Sequence, residues 1–366
     1  MMQVMMAAPF DAKGRYRGGV SAVANGIWER AAILEQQGIR LIPFDTCRIP
    51  RRKESAGKLR LENIRNFFRL LRDVKQQLRR EKPQVFYMHS SVGLALIKDL
   101  ATLKLAKKQG CKTVLHIHTA DLQQIFTGKP SLDKKTLETV REYADALVLL
   151  SRKTLDRFID LGIPAEKCHL LYNFVSETFP AETRKPDQPL QLLFAGQVSE
   201  AKGIFDAMAA LQKIDAPCLL HVCGDYEDAQ TEKRFCQAAE KLGDKLRFHG
   251  FVTGEAKKQL FAQADVLLLP SYSEGLPMVI LEGYAAGCGV ISTTVGAISE
   301  IVEKENGILV SPGDIPGLQG AVEQYLSMDA QALQAQQEHN RNCSARFTPE
   351  RFLEGLAAVC RAVCEQ

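Results

Sequence analysis

The sequence predicts an α/β protein of two domains, each a doubly wound parallel sheet with helices on both faces. Short apolar runs alternate with longer helical patterns along all 366 residues, and this β-α-β rhythm is typical of parallel sheets. The rhythm breaks once, at 180–189, where three prolines and mixed charge predict a linker. We therefore expect domains at 1–180 and 190–346, and a helix within 347–366 that packs back on the first domain.

The predicted strands are continuously apolar, as strands buried on both faces are. In the first half they are Gln3–Ala8, Ile39–Phe44, Gln84–Met88, Thr113–Ile117 and Ala146–Leu150. In the second half they are Leu190–Ala195, Cys218–Cys223, Leu246–His249, Val266–Pro270, Gly289–Ser292 and Gly307–Val310. Open α/β sheets bind ligands beyond the carboxyl ends of their strands, so functional residues are expected in the loops that follow.

Composition narrows the class of protein. The chain is 46% hydrophobic and 25% charged, with a net charge of +4, which suits a globular protein and not a nucleic-acid binder. Ten cysteines are scattered without a C-x-x-C pair, which predicts free thiols instead of a zinc site or a disulfide framework. The apolar run at Met1–Phe10 has no basic region before it, and no run is long enough for a membrane span. We therefore expect a cytoplasmic protein.

In each half of the chain, a glycine-containing loop joins the first predicted strand to the helix that follows it. Gly18 and Gly19 precede a helix predicted over Val20–Gln37, and they let a ligand approach the backbone at a helix N-terminus. The loop G-Q-V-S-E-A-K-G contains Gln197 and Lys202, and the lysine can place a charge against a phosphate. Neither loop is G-x-x-x-x-G-K-[ST] or G-x-G-x-x-G, which disfavours a P-loop enzyme and a dinucleotide oxidoreductase.

The strongest motif is S-Y-S-E-G-L-P-M-V-I-L-E, directly after a predicted strand. Glu274 lies at the loop tip, Pro277 suits the first turn of a helix, and Glu282 lies on that helix. The two carboxylates can bind hydroxyl groups at two ends of one ligand. The N–H groups of Gly275 and Leu276 can bind a phosphate between them.

This E-x7-E motif, within S-Y-S-E-G-L-P-M-V-I-L-E-G-Y-A-A-G and ahead of G-V-I-S-T-T-V-G-A-I-S-E-I-V, resembles glycosyltransferase family 4. The resemblance covers nearly the whole chain, because the Gly-Gly loop, the Lys-Gly element and the terminal helix occur in the expected order. It implies the GT-B fold, two Rossmann-like domains with a cleft between them. It also implies transfer from a nucleotide-diphosphate sugar with retention of the anomeric configuration and with no cofactor. A UDP-sugar is favoured over GDP-mannose as the donor.

The resemblance implies roles for individual residues. Glu274 would bind hydroxyls of the donor sugar, and Glu282 would bind the ribose. Lys202 would neutralise the diphosphate. Gly19 and the backbone from Gly275 to Pro277 would complete the phosphate site.

Two positions bear on catalysis. His118 ends the strand Thr113–Ile117 where the resemblance implies an active-site histidine, which would hydrogen-bond a sugar hydroxyl or stabilise developing charge. His116 shares its strand face and is expected to be structural. Family members often carry an arginine where this chain has Gln197. No D-x-D triplet occurs, so we expect metal-independent transfer in which Lys202 and helix N-termini stabilise the leaving group.

The segment 51–82 concentrates the positive charge. It carries twelve Lys or Arg and four Asp or Glu, a net charge of +8, which leaves the rest of the chain at −4. A helix predicted over 59–80 has an apolar stripe and six arginines. This pattern suits either a packed helix with a solvated basic face or an interfacial helix drawn to anionic lipid at the inner face of the cell membrane.

Two other functions fit the same scaffold: a nucleotide-sugar epimerase, which needs no acceptor, and a non-catalytic nucleotide-sugar-binding protein. Intact Glu274, Glu282, Lys202 and His118 argue against the second. We therefore predict a hexosyl- or N-acetylhexosaminyltransferase that acts on a glycan or lipid-linked acceptor in cell-surface polysaccharide synthesis.

Overall fold

The computed structural model describes residues 1–10, 18–47, 61–90, 94–119, 126, 128–180 and 188–365. The chain forms two compact units. The first is Met1–Phe174 together with Pro349–Gln366, and the second is Val175–Thr348. The division thus falls ahead of the proline-rich segment 180–189, most of which lies outside the described residues.

Each unit is built on one sheet in which all described strand pairs are parallel. The first sheet contains β1 Met2–Ala8, β2 Ile39–Asp45, β3 Val85–Ser90, β4 Lys112–Ile117, β5 Ala146–Leu149 and β6 Cys168–Leu170. The second contains β7 Leu190–Ala195, β8 Cys218–Cys223, β9 Leu246–Phe248, β10 Val266–Leu269, β11 Gly289–Thr293 and β12 Gly307–Val310. The strand orders are β2-β1-β3-β4-β5-β6 and β12-β11-β10-β7-β8-β9.

Helices alternate with the strands. In the first unit they are α1 Gly19–Glu29, α2 Ala31–Gln36, α3 Leu61–Glu81, α4 Leu94–Lys108, α5 Pro130–Tyr143 and α6 Arg152–Asp160. In the second they are α7 Ile204–Leu211, α8 Ala229–Leu242, α9 Gly254–Gln263, α10 Met278–Ala286, α11 Ile298–Ile301, α12 Ile315–Ser327 and α13 Ala330–Ser344. The last helix, α14 Pro349–Glu365, belongs to the first unit.

Helices on both faces explain the apolar strands. All four side chains of β10, which reads V-L-L-L, are buried, as are all six of β8. Burying a leucine side chain contributes about 1.5–3 kcal/mol. A polar residue in such a strand needs a partner within the protein, as His221 of β8 has in Gln191 and His249. Apolar residues therefore predominate on both faces, and period-two alternation is missing.

Both sheets have a point where the direction of winding reverses. The chain runs outward through β7, β8 and β9 and then returns to β10 on the other side of β7. The loops that follow β7 and β10 therefore meet at the same edge of the sheet. Such a switch point is where doubly wound sheets bind ligands.

Two elements differ from the sequence prediction. The single helix predicted over Val20–Gln37 is two helices, because the N–H groups of Arg30 and Ile33 bond to carbonyls three residues back and tighten the turn between them. Strand β6 is absent from the prediction, since its three residues include a histidine and form no apolar run.

Helix α3 divides into two parts. Its second half packs inward, because Val74 and Leu78 are buried in the core of the first unit. Its first half exposes Ile64 by 44% and Phe68 by 63% among exposed arginines. The apolar stripe thus continues beyond the surface that the core covers. Within the described part of the chain, no helix is both long and apolar enough to span a membrane.

Candidate functional site

Lys202 is held by a close approach of two loops. The segment Glu200–Lys202 forms a 3₁₀ turn after β7, and Gly203 follows with a φ of 70°. A Cβ at Gly203 would lie 2.0 Å from the carbonyl oxygen of Pro270, which follows β10. Only glycine fits, because any side chain would push the two loops apart.

Lys202 and Glu274 meet across these loops. The Nζ of Lys202 lies 2.7 Å from Oε1 of Glu274, and the hydroxyl of Ser271 donates to the same oxygen at 2.7 Å. The carboxylate is only 8% exposed and the lysine 29%. Residues 72 positions apart thus place a positive charge beside a carboxylate. The lysine can offer positive charge to a phosphate, and the neighbouring carboxylate can accept hydrogen bonds from hydroxyl groups.

The end of β11 supports the Glu274 loop. The Thr293 hydroxyl donates to the carbonyl of Ser271 at 2.6 Å. Gly296 has a φ of 59°, and a Cβ there would stand 2.3 Å from the carbonyl oxygen of Glu274. These contacts of Thr293 and Gly296 therefore fix the backbone around Glu274, and the sequence did not predict them.

Glu282 is buried on α10, which begins after Pro277. It is 8% exposed, and its Oε1 lies 2.7 Å from Nζ of Lys257 on α9. The same Nζ lies 3.6 Å from Oε1 of Glu177. We call Glu177, Lys257 and Glu282 the buried triad. Lys257 and Glu177 are missing from the sequence prediction, since a lysine on a helix and a glutamate in a loop carry no distinguishing pattern.

Two carboxylates share one ammonium in the buried triad. Burial raises the pKa of Glu282, and Lys257 offsets only part of that rise. Burial lowers the pKa of Lys257, but the two carboxylates outweigh it and raise the pKa above its ordinary value. The Oε2 atoms of Glu282 and Glu177 are buried without a hydrogen-bond partner among the described atoms. Such orphaned acceptors suit a ligand that brings hydroxyl donors.

The Gly-Gly loop opens helix α1. Gly19 is its first residue, and Gly18, the N-cap, is extended with a φ of −152°. No described atom lies within 4 Å of the position a Cβ would take at either residue. Neither packing nor φ within the described residues requires glycine here, whereas a ligand at the helix N-terminus would need the space.

Three histidines cluster where β3 and β4 end. We call His89, His116 and His118 the histidine cluster. His89 Nδ1 lies 2.7 Å from His118 Nε2, and their rings stack at 15° with centroids 5.0 Å apart. His116 Nδ1 lies 2.6 Å from the hydroxyl of Tyr87. His116 thus has a structural partner, while His118 is half-buried at the strand end.

Burial keeps these rings neutral near pH 7. It lowers the pKa of His118 to about 3. Burial and the neighbouring rings also lower the pKa values of His89 and His116 well below the ordinary value. One ring nitrogen from each histidine lies within 4.8 Å of the others, a separation at which the three could bind one metal ion. The His116 and His118 rings are tilted by 32° to each other, with centroids 3.9 Å apart.

The predicted site residues thus fall into two sets. Lys202, Glu274 and Gly275–Pro277 lie together at the switch point of the second sheet, with Glu282 about one turn along the following helix. Gln197 is exposed just beyond β7. The other set belongs to the first unit: Gly18 and Gly19 lie at the start of α1, and His118 directly follows β4.

Family models match both parts of the chain. "Glycosyltransferase Family 4" matches residues 27–179, and "Glycosyl transferases group 1" matches residues 175–343. With these matches, the two parallel α/β units are those of a glycosyltransferase of the GT-B fold. The chain belongs to glycosyltransferase family 4.

Curated relatives are glycosyltransferases, several of them named for polysaccharide or lipopolysaccharide synthesis. The amylovoran biosynthesis glycosyltransferase AmsK of Erwinia amylovora is 29% identical over 247 residues, 64% of this chain and 59% of that protein. The lipopolysaccharide 1,6-galactosyltransferase of Salmonella typhimurium is 29% identical over 210 residues, 54% and 56% of the two chains. The chain thus spans less than two thirds of these relatives' length.

Solved structures share the fold over almost the full chain. The apo form of the lipopolysaccharide outer core galactosyltransferase WaaB matches with a TM-score of 0.69 at 19% identity, covering 98% of this chain and 99% of that one. Anabaena HepE in complex with UDP-glucose matches with a TM-score of 0.72 at 18% identity, covering 98% of both chains.

Proposed function

We propose that the chain is a retaining glycosyltransferase of cell-surface polysaccharide synthesis. It would move a hexosyl or N-acetylhexosaminyl group from a nucleotide-diphosphate sugar to a glycan or lipid-linked acceptor. We favour a UDP-sugar over GDP-mannose as the donor. The observation that carries the proposal is the 2.7 Å contact between Lys202 and Glu274 at the switch point. The names of the relatives and the UDP-glucose complex of Anabaena HepE support the donor class.

The groups on the second unit match the parts of such a donor. Glu274 accepts hydrogen bonds from hydroxyl groups of the sugar. The N-terminus of α10, at Gly275–Pro277, binds the diphosphate together with Lys202. Glu282 accepts a ribose hydroxyl with its unpartnered Oε2. A hydrogen bond to a charged group is worth about 1.5–3 kcal/mol, so this one contact contributes much of the affinity for the nucleoside.

The chemistry needs charge stabilisation more than a nucleophile. The bond from the anomeric carbon to the diphosphate oxygen breaks, and the acceptor oxygen bonds to that carbon from the same face. The acceptor proton passes to the departing phosphate oxygen. Lys202 and the α10 dipole stabilise the charge that develops, without a metal. Gln197, where relatives often have arginine, donates only a neutral hydrogen bond, so Lys202 carries more of this stabilisation.

His118 acts as a neutral hydrogen-bonding group in this proposal. With its pKa at about 3, it is neither a cation nor a proton donor of the imidazolium type near pH 7. It is therefore suited to bind a sugar hydroxyl, and its titration should leave no limb in the pH–rate profile around neutrality.

A donor screen tests the function. We expect one of UDP-glucose, UDP-N-acetylglucosamine, UDP-galactose and GDP-mannose to bind without added metal, as measured by calorimetry. Glu282→Ala should weaken that binding by roughly 10- to 150-fold, because it removes the acceptor for the ribose hydroxyl. Glu255→Ala, an exposed glutamate on α9, is the matched control and should bind normally. Failure of all four donors to bind, or unchanged binding by Glu282→Ala, would contradict the proposed site.

The acceptor proposal includes contact with an anionic membrane through 59–80. The exposed first half of α3 supports it, because Ile64 and Phe68 can enter the lipid interface while arginines meet the headgroups. Arg65 and Arg69 are exposed beside them. The enzyme would then work at the inner face of the cell membrane.

Vesicle binding tests this contact. Changing four arginines of α3 to glutamate should remove sedimentation with anionic vesicles, because attraction becomes repulsion. The four are Arg65, Arg69, Arg72 and Arg79. A control with the same charge change on the second unit should still sediment; its four exposed lysines are Lys213, Lys233, Lys241 and Lys304. If the α3 variant sediments as well as the unmodified protein, the membrane proposal is wrong.

A further inference from the structure

The hydrogen bond between His89 and His118 joins two neighbouring strands at their carboxyl ends. His89 on β3 is opposite His116 on β4, and His118 follows β4 directly. His89 is 3% exposed. Its Nδ1 lies 2.7 Å from Nε2 of His118, and the near-parallel rings leave little freedom for either imidazole to turn. One of these two nitrogens must carry the shared hydrogen, because both rings are neutral.

The surroundings decide which nitrogen carries it. The Nε2 atoms of His89 and His116 are both buried without a partner among the described atoms. The hydroxyl of Tyr87 lies 2.6 Å from Nδ1 of His116 and can donate or accept there, so this contact does not bear on His118. If His118 donated to His89, the hydrogen of His89 would stand on a buried Nε2 that has no acceptor among the described atoms. If His89 donated instead, its Nε2 would carry no hydrogen.

Buried N–H groups without an acceptor are rare because they lose hydration and gain nothing. The arrangement that leaves no such group on His89 is favoured over the arrangement that leaves one. His89 therefore donates through Nδ1, and His118 accepts at Nε2. The hydrogen of His118 then stands on Nδ1.

We propose that His89 is a positioning residue that holds His118 in the Nδ1–H tautomer, so that His118 offers a fixed hydrogen-bond donor to a substrate oxygen. The use of that donor in catalysis rests on the proposed glycosyltransferase function. The tautomer itself depends only on the two histidines and their burial. Nuclear magnetic resonance of the imidazole nitrogens therefore tests it independently of any activity.

The decisive measurement is a multiple-bond nitrogen–proton correlation spectrum of the full chain labelled at histidine nitrogens, with His118→Gln used for assignment. We expect His118 in the Nδ1–H form. In His89→Leu it should become a mixture of both tautomers. His89→Asn should restore the Nδ1–H form, because the asparagine amide N–H occupies nearly the position of Nδ1. An Nε2–H signal from His118 in the unmodified protein, or an unchanged tautomer in His89→Leu, would overturn the proposal.

Kinetics give the functional readout. His89→Leu should lower kcat roughly 10- to 100-fold, by analogy with residues that orient metal-bound imidazoles, with little change in KM for the donor. His89→Asn should recover most of the loss. His221→Leu is the matched control, because His221 Nδ1 makes the same kind of contact with His249 Nε2 at 2.9 Å in the second unit. It should leave both kcat and the His118 tautomer unchanged.

A cobalt titration tests the alternative that the histidine cluster binds a metal ion. Visible absorption bands from one tightly bound Co²⁺, lost in His89→Leu, would mean that the ring nitrogens bind a metal instead of one another. That result would overturn the proposal. If no transfer is found with any donor but the tautomers behave as expected, the glycosyltransferase proposal fails while the positioning by His89 stands.

Discussion

Replacing Lys202 with methionine should lower kcat by roughly 10²- to 10³-fold, the loss typical of removing one preorganised contact to developing charge. The lysine Nζ is held 2.7 Å from Glu274, at the switch point of the second sheet. Charge on the diphosphate grows as its bond to the sugar breaks, so the interaction is stronger in the transition state than in the ground state. Steady-state kinetics should therefore show a much larger fall in kcat than calorimetry shows in donor affinity.

Two further variants make the Lys202 result specific. Lys213→Met removes an exposed lysine from the same unit and should leave kcat unchanged. Lys202→Arg retains the charge with a different shape and should recover part of the rate. A Lys202→Met protein that binds the donor normally and turns over at nearly the original rate would show that other groups stabilise the leaving diphosphate.

Replacing Lys257 with methionine should destabilise the second unit by about 3 kcal/mol at neutral pH, the low end of the range for breaking a buried ion pair. We take the low end because Lys257 is 21% exposed. The change leaves Glu282 and Glu177 facing each other without a cation. Equilibrium urea unfolding measures the loss. Donor affinity should fall too, since Lys257 holds one oxygen of Glu282, the carboxylate proposed to bind the ribose.

The effect should depend on pH in a defined direction. The folded-state pKa of Glu282 is raised by burial, so its contribution to stability is present at acidic pH and is lost as the pH rises through that pKa. Without Lys257 the pKa rises further, because the group that lowers it is gone. The difference in unfolding free energy between the two proteins should therefore be small at acidic pH and grow toward neutrality.

Lys258→Met is the control for this prediction. Lys258 is the next residue on α9 and forms no salt bridge within the described residues. Its removal should change stability little at any pH. In a second comparison, adding Glu282→Gln to Lys257→Met should recover much of the loss, because the amide carries no charge to bury. A destabilisation that is the same at all pH values would contradict the electrostatic origin.

Much of the fold can be predicted from the sequence because buried parallel strands require continuous apolar runs. The strands from Leu190–Ala195 to Gly307–Val310 are recognisable in this way. Exceptions arise where local signals are weak. Strand β6 has only three residues, and the break at Arg30 depends on a tightened turn within an unbroken helical pattern. The stripe on α3 likewise does not reveal that Ile64 and Phe68 stay exposed while Val74 and Leu78 are buried in the core.

The site shows the same division. Lys202, Glu274, Glu282 and His118 can be singled out because each follows a strand or belongs to a motif. Their partners cannot. Lys257, Glu177 and His89 lie on other elements, and their importance depends on atoms brought within hydrogen-bond distance by packing. No periodicity or spacing in the chain marks them.

By itself, the sequence determined the two α/β domains, the family and the residues that follow the strand ends, because these depend on local patterns of apolar, glycine and charged residues. Only the tertiary structure decided that Lys202 meets Glu274, that Glu282 shares Lys257 with Glu177, and that His118 lies within hydrogen-bond distance of His89. These pairings arise where loops and helices distant in the chain converge. Burial there makes each charge and each ring nitrogen depend on its neighbours.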